Sequence, residues 1–385
     1  MYDVPNVQLF GVDVVSFLVG LGIFSAVYVI VTLSLNLEAG YTGIPNFGKL
    51  LFVAAGAAFA TSLGGRLTAY LLNVGVGSDY LINSIRIVGQ VDKILEVNVA
   101  YSIAFFMLSL LIGAGAGALF GYLSSYPAIR LREDYLGMLL LASAQFFAIF
   151  LAAYDPLIGA TAGMGSPDPF RFGGTGRGVR DVTALAMMLG VAGLVYLYSE
   201  RVARSPLGRA LRAVRENEVA SGAVGKDNVA IRKRVTVIAS AIAGMAGALW
   251  AMYLGANIFS VWTRFDWTLI PWVVLILGGA GNNLGTAVGV FVFSFLIRVI
   301  GQVKIAVGDF SIPVGIISNS NGTALQFMPV DINRIEFLMV GVSLIVILMV
   351  RPEGIFPEKA TFTMPRKKLE RLLSGGPIDS ERPAA

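Results

Sequence analysis

The sequence predicts an all-α integral membrane protein: a polytopic bundle of about nine transmembrane helices (eight to ten admissible), with two Gly/Pro-broken segments and one short cytoplasmic helix. Three observations predict it. Of the 385 residues, 56% are hydrophobic and 14% are charged, against roughly 45–50% apolar and 25% charged in soluble domains. The apolar residues gather into long windows free of Asp, Glu, Lys and Arg. The net charge of +5 collects in two basic blocks beside those windows. That is a topology signal, not a nucleic-acid footprint.

In chain order the windows are 14–37, 50–65, 97–129, 135–154, 182–199, 235–263, 267–297 and 337–350. A helix needs about 20 residues to cross a bilayer, and a central charge costs roughly 2.5–3.5 kcal/mol. The second window is short, but becomes a span over about 47–72 if Arg66 faces protein or snorkels. The last begins near Ile335, with Glu336 at the interface. Residues 310–330 are also charge-free, yet Pro313, Asn319, Asn321, Gly322 and Pro329 make a poor helix and read as an extramembrane loop. Gly113, Gly117 and Gly121 recur every four residues, as do Gly281, Gly285 and Gly289. Such stripes let helices approach closely in lipid, and packing is their plain reading.

Lys and Arg favour cytoplasmic loops. Residues 200–235 carry nine (Arg201, Arg204, Arg209, Arg212, Arg215, Lys226, Arg232, Lys233 and Arg234), and 351–385 carry seven. Both blocks are expected inside, with an even number of crossings between them. Windows 235–263 and 337–350 supply two, so 267–303 must enter and leave on one side. Pro271 and the run from Gly278 to Gly285 offer the place to turn. The same parity puts Arg130–Asp134 inside, and the N-terminus, 73–98, 155–180 and 304–334 outside. Against the rule, 155–180 carries Arg171, Arg177 and Arg180.

There is no cysteine and no histidine. That excludes disulfides, thiol and Ser-His-Asp catalysis, and the usual zinc or haem ligands. The windows hold no paired carboxylates for a membrane enzyme, so no catalytic residue, metal or cofactor is expected. A phosphate-cradling loop wants Gly-x-x-x-x-Gly-Lys-Ser/Thr. The nearest run ends Gly225-Lys226 but has Ala220 first and Asp227 last, so energy must come from another chain. An ion-coupled carrier would want ionisable groups within the membrane. Only Glu38, Lys49, Arg66 and Arg298 stand at window borders, and Glu38 and Asp266 are the places to seek a coupling ion.

The loop 200–235 is the most informative stretch. Ser205 is a good N-cap, Pro206 suits the first helical position, and Gly222 and Gly225 offer stops. Leu207, Ala210, Leu211 and Val214 share one face, with Arg209, Arg212, Arg215 and Glu216 around the rest. The pattern predicts one amphipathic helix over 205–225, too polar to span. Such a helix suits a mechanical push from a cytoplasmic partner; a solvated charge run along the membrane has the same spacing. The broken segments Gly40–Lys49 and Gly278–Gly285 read as a pair. Unwound backbone at membrane depth needs cover, and a matched pair in two halves of a chain points to a transport path. Tyr41, Thr42, Asn46, Lys49, Asn282 and Asn283 are the candidates to lie near it, and each residue type also serves in turns.

The run Ser205–Gly225 resembles the cytoplasmic loop of branched-chain amino acid ABC transporter permeases of the LivM type. Four more stretches fit in the family's order. Leu33–Gly43 (Leu-Ser-Leu-Asn-Leu-Glu-Ala-Gly-Tyr-Thr-Gly) resembles its first-helix signature. Arg130–Leu136, with Arg132 and Asp134, resembles its short inner loop. Leu277–Gly281 followed by Gly285 fits, and so does Arg351-Pro-Glu-Gly354 after the last span. The chain departs at Gly48-Lys49, where the family often has histidine second. The resemblance, over about residues 20–360, implies one permease domain over 1–360 with its coupling loop at 200–235. Residues 361–385 look like a private tail near the inner leaflet.

It further implies a plasma-membrane permease subunit of an ATP-driven importer, not an enzyme. The coupling helix would use Ser205, Pro206, Gly208, Arg209, Arg212, Arg215, Glu216, Glu218, Ala220 and Gly225, with Glu218-Val219-Ala220 as the motif that docks on the ATPase. The implied partners are a second permease in a heterodimer, two cytoplasmic ATP-binding subunits, an extracytoplasmic binding protein and the lipid bilayer. Leucine, isoleucine and valine are the implied cargo; related systems carry urea or short amides, and these residues do not separate them.

Overall fold

The computed structural model describes residues 8–9, 12–75, 79–131, 133–174, 176–307, 310–319, 322–330, 341–342, 345, 349 and 354–358. A small antiparallel pair, β1 (Gln8–Leu9) and β2 (Val12–Asp13), leads into α1 (Val14–Leu35). The 22 residues of α1 rise about 33 Å, enough to cross a hydrocarbon core. Its end widens into a π-helical turn, Asn36–Gly40. After an irregular stretch at 43–46 the chain continues as α2 (Lys49–Phe59), a second π-segment (Ala60–Gly64) and α3 (Gly65–Leu71). The expected long second span is present, and its condition is met: Arg66 donates to the Pro156 carbonyl at 2.7 Å, so its charge faces protein.

Next comes α4 (Ser84–Val97), in a stretch expected only to lie outside the membrane. Arg86, Asp92, Lys93 and Glu96 hide it from a search for apolar windows, yet Ile87, Val88, Val91 and Leu95 bury one face. The third and fourth windows are α5 (Val99–Arg130) and α6 (Glu133–Ala153). The inner loop between them is so short that Asp134 already belongs to α6, exposed; Arg132 and the Arg130 side chain lie outside the described residues. Then α7 (Asp155–Ile158), β3 (Met164–Gly165) and a 3₁₀ turn at Pro169–Gly173 lead to α8 (Arg177–Arg204).

Two short helices, α9 (Pro206–Glu216) and α10 (Glu218–Ala223), precede α11 (Asn228–Leu254). The charge-free window ran to residue 263, but α11 stops at Gly255, whose φ of +68° favours glycine. There β4 (Ala256–Asn257) pairs antiparallel with β3. A third π-segment, Phe265–Leu269, opens α12 (Ile270–Gly278), and the chain turns at 279–282 into α13 (Asn283–Val307). The two arms are bent by 118°, at the place where the parity of basic blocks required a turn. Residues 310–330, expected as a loop, form an antiparallel hairpin of β5 (Phe310–Asn319) and β6 (Gly322–Val330).

Among the described residues, six helices are long and apolar enough to cross a membrane, or seven spans if the bent pair is one. The difference from about nine lies in that pair, expected as two crossings, and in window 337–350. That window falls almost wholly outside the described residues, as do Arg351–Glu353 and the expected tail 361–385. The core runs along α11, packed by α1, α2 and α5. The glycine stripes are packing surfaces, as read. A Cβ on Gly117 would stand 2.2 Å from the Ser240 carbonyl oxygen, and one on Gly289 would stand 2.8 Å from Gly278 Cα.

Candidate functional site

The Ser205 hydroxyl accepts from the Gly208 N–H (3.4 Å) and Pro206 sits in the first turn of α9. The helix buries Gly208, Leu211 and Val214, while Leu207, expected on that face, points out. The single helix expected over 205–225 is two. At Asn217 the backbone extends (φ −160°, ψ 105°) and the side chain accepts from the Ala220 N–H at 2.9 Å, capping α10. Asparagine is among the strongest N-caps, a signal the single-helix reading passed over. In α10 the Glu218 carboxylate pairs with Arg232 at 3.0 Å. Val219 and Val224 stand 83% and 81% exposed, with Ala220, Arg209 and Glu216 also exposed and Gly225 closing the turn at φ +80°.

The arginines of α9 hold it to the bundle. Arg212 Nε donates to Glu358 Oε1 at 3.0 Å and Arg215 Nη2 to Glu358 Oε2 at 2.6 Å. Arg215 Nη1 also donates to the Gly40 carbonyl, and the Arg212 guanidinium lies 5.3 Å from the centre of the Tyr41 ring. Glu358 is delivered by a strap of extended chain. Ile355 and Phe356 donate their N–H groups to the Leu277 and Gly278 carbonyls (2.8 and 3.1 Å), and Asn282 Nδ2 reaches the Phe356 and Pro357 carbonyls (3.3 and 3.4 Å). Nothing in the sequence pattern singled out Glu358.

The two broken segments, far apart in sequence, touch. A Cβ on Gly40 would come within 2.7 Å of the Gly281 nitrogen. Asn36 Nδ2 donates to Asn283 Oδ1 (3.0 Å), the Gly281 N–H donates to Asn36 Oδ1 (2.8 Å), and Asn283 Nδ2 donates to Glu200 at the end of α8 (3.0 Å). The sequence signal for Asn36 is its place in the Leu33–Gly43 run, a polar residue at the end of an apolar window.

Deeper, Lys49 and Glu38 form an ion pair at 2.6 Å with both side chains wholly buried. Asn46 Nδ2 donates to the same Glu38 oxygen (2.9 Å), and Trp272 Nε1 donates to the Asn46 carbonyl (3.0 Å). Glu38 and Lys49 thus stand at span ends, as expected, but wholly inside protein. Of the expected pathway residues, Tyr41, Thr42, Asn46, Lys49 and Asn283 are buried and Asn282 is half-buried, packed where the two breaks meet.

The opposite ends of α8 and α11 carry a second polar cluster. Asp168 accepts from the Phe170 N–H (3.0 Å) and pairs with Arg171 (3.3 Å) and Arg180 (2.5 Å), while its own N–H donates to Asp92 Oδ1 (2.9 Å). Arg180 also bonds Asp181 (3.1 Å) and the Tyr253 carbonyl (2.6 Å). Two of the arginines that broke the charge rule are therefore neutralised locally. Burial pushes the Asp92 carboxyl up to about 6, opposed by the Asp168 N–H and by Arg171.

The family described as the permease component of the branched-chain amino acid transport system matches residues 17–349. The probable branched-chain amino acid transport permease protein LivM of Methanocaldococcus jannaschii is 34% identical over 365 residues, covering 94% of this chain and 99% of that one. The high-affinity branched-chain amino acid transport system permease proteins LivM of Salmonella typhimurium and Escherichia coli are 25% and 24% identical, over 78% and 80% of this chain and 66% and 67% of theirs. No solved structure matches.

Proposed function

The chain belongs to the family of permease components of branched-chain amino acid transport systems, and from that premise we propose how it works in an ATP-driven importer. It is a multi-pass membrane protein and a transport component, not an enzyme. In our reading it lies in the plasma membrane with α9, α10 and the C-terminus in the cytoplasm and the N-terminus outside. It pairs with a second permease, rests on two ATP-binding subunits, and receives leucine, isoleucine or valine from an extracytoplasmic binding protein.

One observation carries this reading: the arginines of α9 reach both broken segments at once, Gly40 directly and the 279–282 turn through Glu358. A push on α9 is transmitted to both, and separating them opens the path between. Exposed apolar side chains on a charged loop mark an interface, so Val219, Ala220 and Val224 form the face for the ATP-binding subunit. Closure of those subunits on ATP moves α9 and α10 together.

Co-expression of the chain with its partners, purification in mild detergent and reconstitution into proteoliposomes test the reading. The wild type should bring down a second permease and ATP-binding subunits and take up leucine with ATP. Val219→Asp should lose the ATP-binding subunits from the complex. Arg212→Glu should keep them but lower uptake at least tenfold. Unchanged uptake in both variants removes the coupling assignment.

A further inference from the structure

At the end of the bundle remote from α9, a cavity of about 490 Å³ opens between α4, the 3₁₀ turn and the ends of α8 and α11, within the size range of small-molecule sites. The helices α8 and α11, of 28 and 27 residues, separate it from the coupling end by about 40 Å. Part of its lining is scaffold. Asp168 and Arg180 are engaged with each other and with the Phe170 N–H, Asp181 and the Tyr253 carbonyl. Other groups are less fully engaged. The Arg171 side chain is 45% exposed and holds Asp168 at 3.3 Å and Asp92 at 3.9 Å, which leaves most of its five donors free. Asp92 spends Oδ1 on the Asp168 N–H and, among the described residues, meets only the distant Arg171 with Oδ2. Glu96, one turn after Asp92 on the same face of α4, pairs with no cation among the described residues and lines the cavity. The hydroxyl of Ser166, 1% exposed and also lining the cavity, has no hydrogen-bond partner among the described residues. A buried unmade hydrogen bond is costly, and a ligand can satisfy it.

We propose that this cavity binds the zwitterionic head of an α-amino acid, with Arg171 taking the carboxylate, Asp92 and Glu96 the ammonium, and the Ser166 hydroxyl a further hydrogen bond. A simple anion would face two carboxylates, and a simple cation would leave the Arg171 fork unused; a ligand bearing both charges satisfies both. The lining is mostly polar, with Leu254 its aliphatic residue, so the cavity reads the head shared by all α-amino acids and not the branched side chain. The inference rests on the proposed amino acid cargo and adds a place on the permease itself where it pauses.

The test uses the complete importer in nanodiscs without its binding protein, with radiolabelled L-leucine binding measured by scintillation proximity, alongside proteoliposome uptake with binding protein added. Leucine should bind, and alanine should displace it as well as valine does. Isopentylamine and 4-methylpentanoate, each missing one charge, should be at least tenfold weaker competitors. Arg171→Gln and Glu96→Gln should weaken binding at least tenfold. Ser166→Ala, which removes only the orphan oxygen, should weaken it severalfold with an unchanged melting temperature. Absence of leucine binding, equal competition by the one-charge probes, or wild-type binding by all three variants overturns the site. If that happens while the wild type still imports leucine, the cavity assignment falls and the importer reading stands. If zwitterions bind through Arg171 but no branched-chain amino acid is imported, the cargo reading falls and the site stands.

Discussion

Glu38 and Lys49 meet where neither charge has water. Removing one partner of a buried pair leaves the other uncompensated, at about 3–5 kcal/mol, while replacing both is often neutral. Lys49→Met should therefore lower stability by about 3–5 kcal/mol in nanodisc unfolding, and Glu38→Gln with Lys49→Met should recover most of it; additive losses would show that the pairing contributes nothing. Asp92 gives a pH prediction. Its carboxyl is raised from an ordinary value near 4 to about 6, so the folded chain holds a proton that the unfolded chain releases between those values. The contribution of Asp92 to stability should be fullest below about pH 4 and fall by up to about 3 kcal/mol as pH rises through 6. The wild-type minus Asp92→Asn difference curve isolates that slope, and a flat difference refutes it. At this scale the sequence was half legible. Lys49 stood out as a departure and Glu38 lay in a quoted run, but they pair only because the chain reverses between them, which no periodicity reports.

At the scale of elements, charge-free windows found all the described spans because the cost of burying charge is large and local. They stop short of an end where a charge is itself satisfied by protein, as with Arg180 on Asp168; at Arg66, held by Pro156, the extension to about 47–72 allowed for it. They missed α4, whose charged face dilutes its apolar one. The α5–α11 contact invites a direct test. Leucine at Gly117 would drive a side chain into the Ser240 carbonyl, and helices in lipid have no hydrophobic drive to re-pack elsewhere. Gly117→Leu should cost about 3 kcal/mol or more of stability, whereas Gly190→Leu, on an open face of α8 where a Cβ meets nothing within 4 Å, should cost under about 1 kcal/mol. Thermal melts of the two purified variants compare them, and equal melts would dissolve the packing account.

Across the whole molecule, two features were legible separately, the paired breaks and the amphipathic loop, and their junction was not. It is made by Glu358, a residue whose only sequence signal is its place a few residues past Arg351-Pro-Glu-Gly354. A chain ending at residue 353 should retain its spans and its ATP-binding partners, yet lose at least tenfold in uptake relative to the full chain. Undiminished uptake by that truncation would show that Gly40 alone carries the motion. The strap has a consequence for biogenesis. Residues 354–358 leave the ribosome after α9 and both breaks, so until they emerge Arg212 and Arg215 lack their carboxylate. Under the proposed importer reading, the coupling contacts of α9 are therefore complete only once the strap has been made.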